Sequence, residues 1–390
     1  MRNLILGYKR GWNKWQCLER ALKSIGQEVD VVTEDFDKIV GPYDRIFTVA
    51  ESLLPIQAKL EKEYGLNNLS EKAADILSDK AKMDAWCGII GLQSLIPFSV
   101  IPTSSGQLDR FEESPFIIKP VIGSGGKSKG LNYISFKNKR EFLLSIGDSS
   151  FFTDNKIGWK DSKFNNRINY YMAQEQLPTK VEMWGPYYYV NESGILKNLL
   201  WVRGKVAYNQ IDEYRYETKC TEWMSFKEQD VPTDIKQLAN NFFERLVASL
   251  HLRNMFFSGP DFYKWDNNVK MIDCNPRIGQ GLQQMDDVHN NTMIPRILQG
   301  KSFDYKKQIY WVMSDLKPGR IKSIKDLSHL EEYLVSTNHK LKPEMEIPDY
   351  THLVSSKART ALLITGTNES DMLKTYQTVN NQLQECISYY

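Results

Sequence analysis

Three short apolar runs open the chain, at Asn3-Leu-Ile-Leu-Gly7, Glu28-Val-Asp-Val-Val32 and Asp44-Arg-Ile-Phe-Thr-Val49. Helix-like segments such as Trp12 to Ile25 separate them. Strands alternating with helices predict a parallel α/β sheet, here over residues 1–95. Gly7 and Gly11 follow the first run, but Gly-Tyr-Lys-Arg-Gly is not the GxGxxG pattern of dinucleotide sites.

The bulk of the 390 residues excludes several classes. With 41% hydrophobic and 25% charged residues the chain is not globally disordered. Fifty basic residues against 48 acidic give a net charge of +2, which argues against a general nucleic-acid footprint and leaves a local basic patch open. Cys17, Cys87, Cys220, Cys274 and Cys386 are odd in number and form no CxxC pair, so neither a disulfide framework nor a zinc knuckle is expected. No run of about 18 apolar residues occurs, and the amino terminus is too short in apolar residues for a signal peptide. A cytoplasmic protein is expected.

A second unit, 96–178, has its first apolar strand at Pro115-Phe-Ile-Ile-Lys-Pro120 and passes through Gly123-Ser-Gly-Gly-Lys-Ser-Lys-Gly130 into a strand-like Leu131–Phe136. Four glycines with two lysines let backbone N–H groups approach phosphate oxygens, with charge nearby. Gly123, Ser124, Gly125, Gly126 and Lys127 are therefore candidate phosphate contacts. A P-loop would need glycine at Val121 and a helix after the loop, and neither is present. A lid joining two strands fits the pattern, with a solvated hairpin as the alternative. The polar 147–169 segment is a long excursion, and Tyr170 to Leu177 returns as a strand.

The third unit, 179–390, contains the densest chemistry. Ser258-Gly-Pro-Asp261 and Met271-Ile-Asp-Cys-Asn-Pro-Arg277 flank a hairpin turn at 264–268, which brings Asp261 and Asp273 side by side. Two carboxylates with the Asn275 amide oxygen make a hard-oxygen site suited to Mg²⁺. Arg277 suits bidentate capture of a phosphoryl group. A polar strand end capped by Asn-Pro is the structural alternative. Arg203 and Lys205, with Arg215 and Lys219 beyond them, are candidates for holding a substrate carboxylate.

This order of motifs resembles the ATP-grasp superfamily, with biotin carboxylase, the purine-biosynthesis ligases and the L-amino acid ligases most similar in layout. The resemblance covers nearly the whole chain on about five short motifs. It implies an amino-terminal Rossmann-like domain, a glycine-loop lid and a carboxy-terminal antiparallel domain whose small subdomain starts near residue 309. By the same resemblance, Lys80 of Asp79-Lys80 and Lys119 touch nucleotide phosphates, and Glu175, Gln176 and Leu177 present backbone to adenine. Glu182 then binds the ribose. Asp261, Asp273 and Asn275 hold two Mg²⁺ ions, with Mn²⁺ as a substitute, and Arg277 and Lys119 act at the reacting groups; Arg203, from its place on a strand near the expected site, is added to them as a catalytic candidate. The family usually has glutamate where this chain has Asp273.

The implied reaction is ATP-dependent joining of a small carboxylate to an amine through an acyl phosphate, with an amino acid or peptide as one substrate and a homodimer by analogy. Two rivals remain open: a ligase acting on a large peptide or nucleotide acceptor, and a nucleotide-binding protein that has lost catalysis.

Overall fold

A computed structural model describes residues 1–8, 14–92, 99–122, 134–146, 156–158, 168–176, 182–210, 216–258, 260–265, 268–314, 316–334, 341–347 and 361–390. The glycine-rich loop and Leu177 lie outside these residues, as does most of the 147–169 excursion. The amino-terminal unit holds β1 (Arg2–Leu6), α1 (Lys14–Ser24), β2 (Glu28–Val32) and β3 (Arg45–Thr48). After them come α2 (Leu54–Glu63), α3 (Glu71–Leu77) and α4 (Lys80–Ile89). Its strands are parallel in the order β2-β1-β3, as the alternation of apolar runs with helix requires.

The stretch from Ser70 to Gly88 folds as two helices. Asp79 breaks it, because its carboxylate accepts from the N–H groups of Ala81 and Lys82, each at 3.0 Å, and so starts α4 afresh. A side chain that can satisfy N-terminal amides wins over helix continuation at that point.

The middle unit has β4 (Ser99–Val100), β5 (Phe116–Pro120), β6 (Ile134–Phe136), α5 (Lys139–Ile146), β7 (Lys156–Gly158) and β8 (Ile168–Glu175). Phe116, Phe136 and Phe142 pack edge to face at its centre. The third unit begins with β9 (Glu182–Val190), β10 (Leu196–Gln210), β11 (Tyr216–Phe226) and α6 (Thr233–Leu250). Asn191 closes the β9–β10 turn by accepting from the N–H groups of Ser193 and Ile195.

β12 (Met255–Ser258) and β13 (Pro260–Trp265) both pair with β9, and residue 259 between them lies outside the described residues. Next are β14 (Asn268–Cys274), α7 (Gln280–Val288), α8 (Met293–Leu298) and β15 (Gln308–Met313). β16 (Gly319–Ile324), β17 (Glu346–Ile347), β18 (Ala361–Gly366), α9 (Glu369–Glu385) and β19 (Ile387–Tyr389) complete the chain. Sheet hydrogen bonding runs on from the middle unit into the third through β6 and β11.

The two faces of the large sheet have separate cores. Trp184, Trp201 and Phe226 face α6, with Phe242, Phe243 and Leu246. Tyr189, Leu200 and Val202 face the other way, toward Leu282 and Met285 of α7 and the helix α1. No described helix is long and apolar enough to cross a membrane.

Candidate active site

Lys80 is set by backbone on both sides. Its N–H donates to the Val121 carbonyl at 2.9 Å, and Asp79 bridges Ile122, so the start of α4 is clasped to the chain leaving β5. Burial pushes the Asp79 carboxyl up from its ordinary range, against the two N–H groups it accepts. Lys119 sits on β5 opposite Met172 and is 2% exposed. Strand alternation puts it on the face of Val121, which with Ile122 and Met172 forms a small core against which Ala81, the neighbour of Lys80, packs. The two candidate phosphate lysines thus come from one junction.

Arg277 arrives from the far end of the sequence. Its Nε donates to Glu51 Oε1 at 3.0 Å and its Nη2 to Asn275 Oδ1 at 3.2 Å, while Nη1 reaches Ser258 Oγ at the long limit of 3.5 Å. The rest of its fork has no partner among the described residues. Backbone bonds hold the bend: the N–H groups of Ser258 and Arg277 both donate to the Asn275 carbonyl, at 2.9 and 2.8 Å. Lys80 Nζ lies 3.8 Å from Glu51 Oε2, so one buried carboxylate faces both cations.

Glu51 was not apparent from the sequence. It stands in a single turn, Glu51–Leu53, directly after β3. An acid just past the carboxyl end of an apolar strand in a parallel sheet is where ligand sites gather, and that was the available signal.

The hairpin is as expected in topology. Pro260 pairs with Cys274 and Phe262 with Met271, so Asp261 stands opposite both Ile272 and Asp273 at a β-bulge. The backbone brings the two acids to one register position, with Asn275 just beyond. Their side chains lie outside the described residues. Residue types that can supply carboxylate and amide oxygens to a divalent cation thus share one end of the hairpin.

Solved structures with this architecture were found across the whole chain. The L-amino acid ligase from Bacillus licheniformis is 13% identical with a TM-score of 0.62, over 100% of this chain and 98% of that one. Phosphoribosylglycinamide synthetase from Anaerococcus prevotii is 15% identical with a TM-score of 0.62, over 100% and 99%. N5-carboxyaminoimidazole synthetase from Staphylococcus aureus, complexed with ADP, is 13% identical with a TM-score of 0.63, over 97% and 96%. The chain has the ATP-grasp fold. No protein-family model and no curated protein matches the sequence.

Within this ATP-grasp fold the remaining candidates separate. Glu175 ends β8 opposite Phe116, and the N–H of Gln176 donates to the Pro115 carbonyl at 3.0 Å. Glu182 is exposed at the start of β9, its carboxylate accepting from the Trp184 indole at 3.1 Å. Gly123, Ser124, Gly125, Gly126, Lys127, Leu177 and Arg215 lie outside the described residues, and only backbone is described for Lys205 and Lys219.

Arg203 does not join Arg277. It faces Trp184 across the β9–β10 pair, lies 4.8 Å above the Phe226 ring and pairs with Glu369 at 2.5 Å, in the first turn of α9. Trp184 and Tyr187 are an odd number of residues apart, so they face opposite sides of the sheet. Tyr187 pairs with Ser258 on β12 and shares the Arg277 side.

Gly279 and Gly281 are explained by that same tyrosine. A Cβ on Gly279 would lie 2.4 Å from Ser258 Cβ, and one on Gly281 would lie 2.6 Å from Tyr187 Oη. These glycines admit a neighbouring side chain that a Cβ at either position would meet too closely. Trp223 and Trp311 stack beyond them with centroids 6.4 Å apart.

Proposed function

We propose that the chain is an ATP- and magnesium-dependent ligase that joins a carboxylate to an amine through an acyl phosphate. The observation that carries this reading is the convergence of Lys80 and Arg277 on one buried carboxylate, beside the strand that bears Lys119 and next to the Asp261–Asp273 bulge. Cations and hard-oxygen donors drawn from separate parts of the sequence are what a Mg²⁺-bound triphosphate requires. The similar solved structures are ligases and synthetases by name, one of them complexed with ADP, which supports the same reading.

Lys80 and Lys119 bind the nucleotide phosphates, and the end of β8 carries the adenine. Asp261, Asp273 and Asn275 hold the Mg²⁺, which neutralises phosphate charge when bound. The substrate carboxylate oxygen attacks the γ-phosphorus, and the bond to the β–γ bridging oxygen breaks to release ADP. An amine then attacks the acyl carbon, phosphate leaves and the amine nitrogen gives up a proton. The protein needs no nucleophile of its own, since positioning and charge account for this chemistry. Arg277 orients the group in transit through the part of its fork that Glu51, Asn275 and Ser258 do not engage.

Purified protein with ATP, Mg²⁺ and pools of amino acids and small carboxylates tests the proposal. ADP and phosphate formed only with particular pools are expected. AMP and pyrophosphate would mean adenylation and would overturn it.

A further inference from the structure

The buried carboxylate of Glu51 has no part in binding or bond-making as described so far. It is 6% exposed and meets Lys80, 10% exposed, and Arg277, 17% exposed. Two cations aimed at one phosphate chain repel each other before ATP arrives, and burial raises the cost of holding both charged. Glu51 is the anion between them. It comes from the parallel amino-terminal sheet, whereas Lys80 opens a helix clasped to the middle unit and Arg277 follows the third unit's hairpin.

We propose that Glu51 is a positioning residue, which holds Arg277 and Lys80 in register so that the arginine meets the transferring phosphoryl group while the lysine holds the phosphates behind it. This rests on the ligase reading above. The geometry favours positioning over bracing because the contact is directional. Glu51 takes the Nε edge of the guanidinium, Asn275 takes Nη2, and together they fix the plane of the fork. A brace alone would not need the same carboxylate to face Lys80.

A counter-anion inside an anion site has opposite effects on binding and on turnover. Neutralising it leaves the cations more attractive to phosphate and less well aimed. Full-length wild type, E51Q and E51D are therefore titrated calorimetrically with Mg²⁺ and a non-hydrolysable ATP analogue, and ADP release from ATP is measured with the stimulating substrate pool. E51Q should bind the analogue about three- to tenfold more tightly, through loss of one negative charge. Its ADP release should fall about a hundredfold, the scale set by loss of orientation.

E51D keeps the charge but is one methylene shorter; it should bind within about twofold of wild type and release ADP about tenfold more slowly. It also carries the test should E51Q not fold. Weaker binding by E51Q, or ADP release by both variants within about threefold of wild type, would overturn the positioning role. Wild-type protein that does not bind the analogue would instead overturn the ligase reading.

Discussion

The backbone N–H of Lys80 donates to the carbonyl of Val121 at 2.9 Å, tying the first residue of α4 to the segment that leads into the glycine-rich loop. The lysine's place therefore depends on the helix starting there, and Asp79 makes it start. Asp79→Ala should cost about 1 kcal/mol, as for other lost N-caps, and weaken Mg²⁺-ATP binding. Asp79→Asn, which can still accept, should lose much less of both. Thermal denaturation with nucleotide titration checks this, and equal effects from the two variants would contradict it.

Arg203 makes its described contacts on the sheet face away from Arg277. Arg203→Ala should leave ADP release within about threefold of wild type and cost roughly 1 kcal/mol, because the pair with Glu369 is partly exposed. A hundredfold loss of turnover with nucleotide affinity intact would return Arg203 to the catalytic set.

Gly281→Ala would place a methyl group against Tyr187 Oη, 2.6 Å away, with Cζ at 3.1 Å. Overpacking of this kind costs about 1 to 3 kcal/mol. Tyr187→Phe removes the nearer atom, so the double variant should be more stable than the sum of the single changes predicts. A urea-unfolding double-mutant cycle measures that coupling, and strict additivity would mean the tyrosine moves freely.

Glu61 provides a pH test of stability. Burial pushes its carboxyl up to about 7, although it accepts from Gln57 and from the N–H groups of Asn68 and Leu69. In the unfolded chain it titrates near the ordinary value of about 4.3. As pH rises between these values the unfolded state releases a proton that the native state keeps, so Glu61's contribution to stability is full below the window and lost through it. Glu61→Gln should remove this slope and be more stable than wild type at pH 8, by about 1 to 3 kcal/mol. Parallel stability curves for the two proteins between pH 5 and 8 would refute the assignment.

The sequence determined this protein where local chemistry is sufficient. Alternating apolar runs and helices specify the parallel sheet, because period and run length constrain backbone geometry directly. Asp261 and Asp273 could be paired across a hairpin from turn residues and strand lengths alone, and Asp79-Lys80, Lys119 and Asn275-Pro-Arg277 were visible as motifs. The tertiary structure decided what depends on faces and distant partners. Arg203 within β10 and Arg277 just beyond β14 look alike as candidate cations in the sequence; register sets Arg203 opposite Trp184, while Arg277 reaches Ser258, which pairs with Tyr187 on the other face. Gly281 is required by a tyrosine far away in the sequence. Glu51 gains its meaning only when the amino-terminal and third units fold together, because the electrostatic cost of burying Lys80 and Arg277 about one carboxylate does not exist until the chain has brought them there.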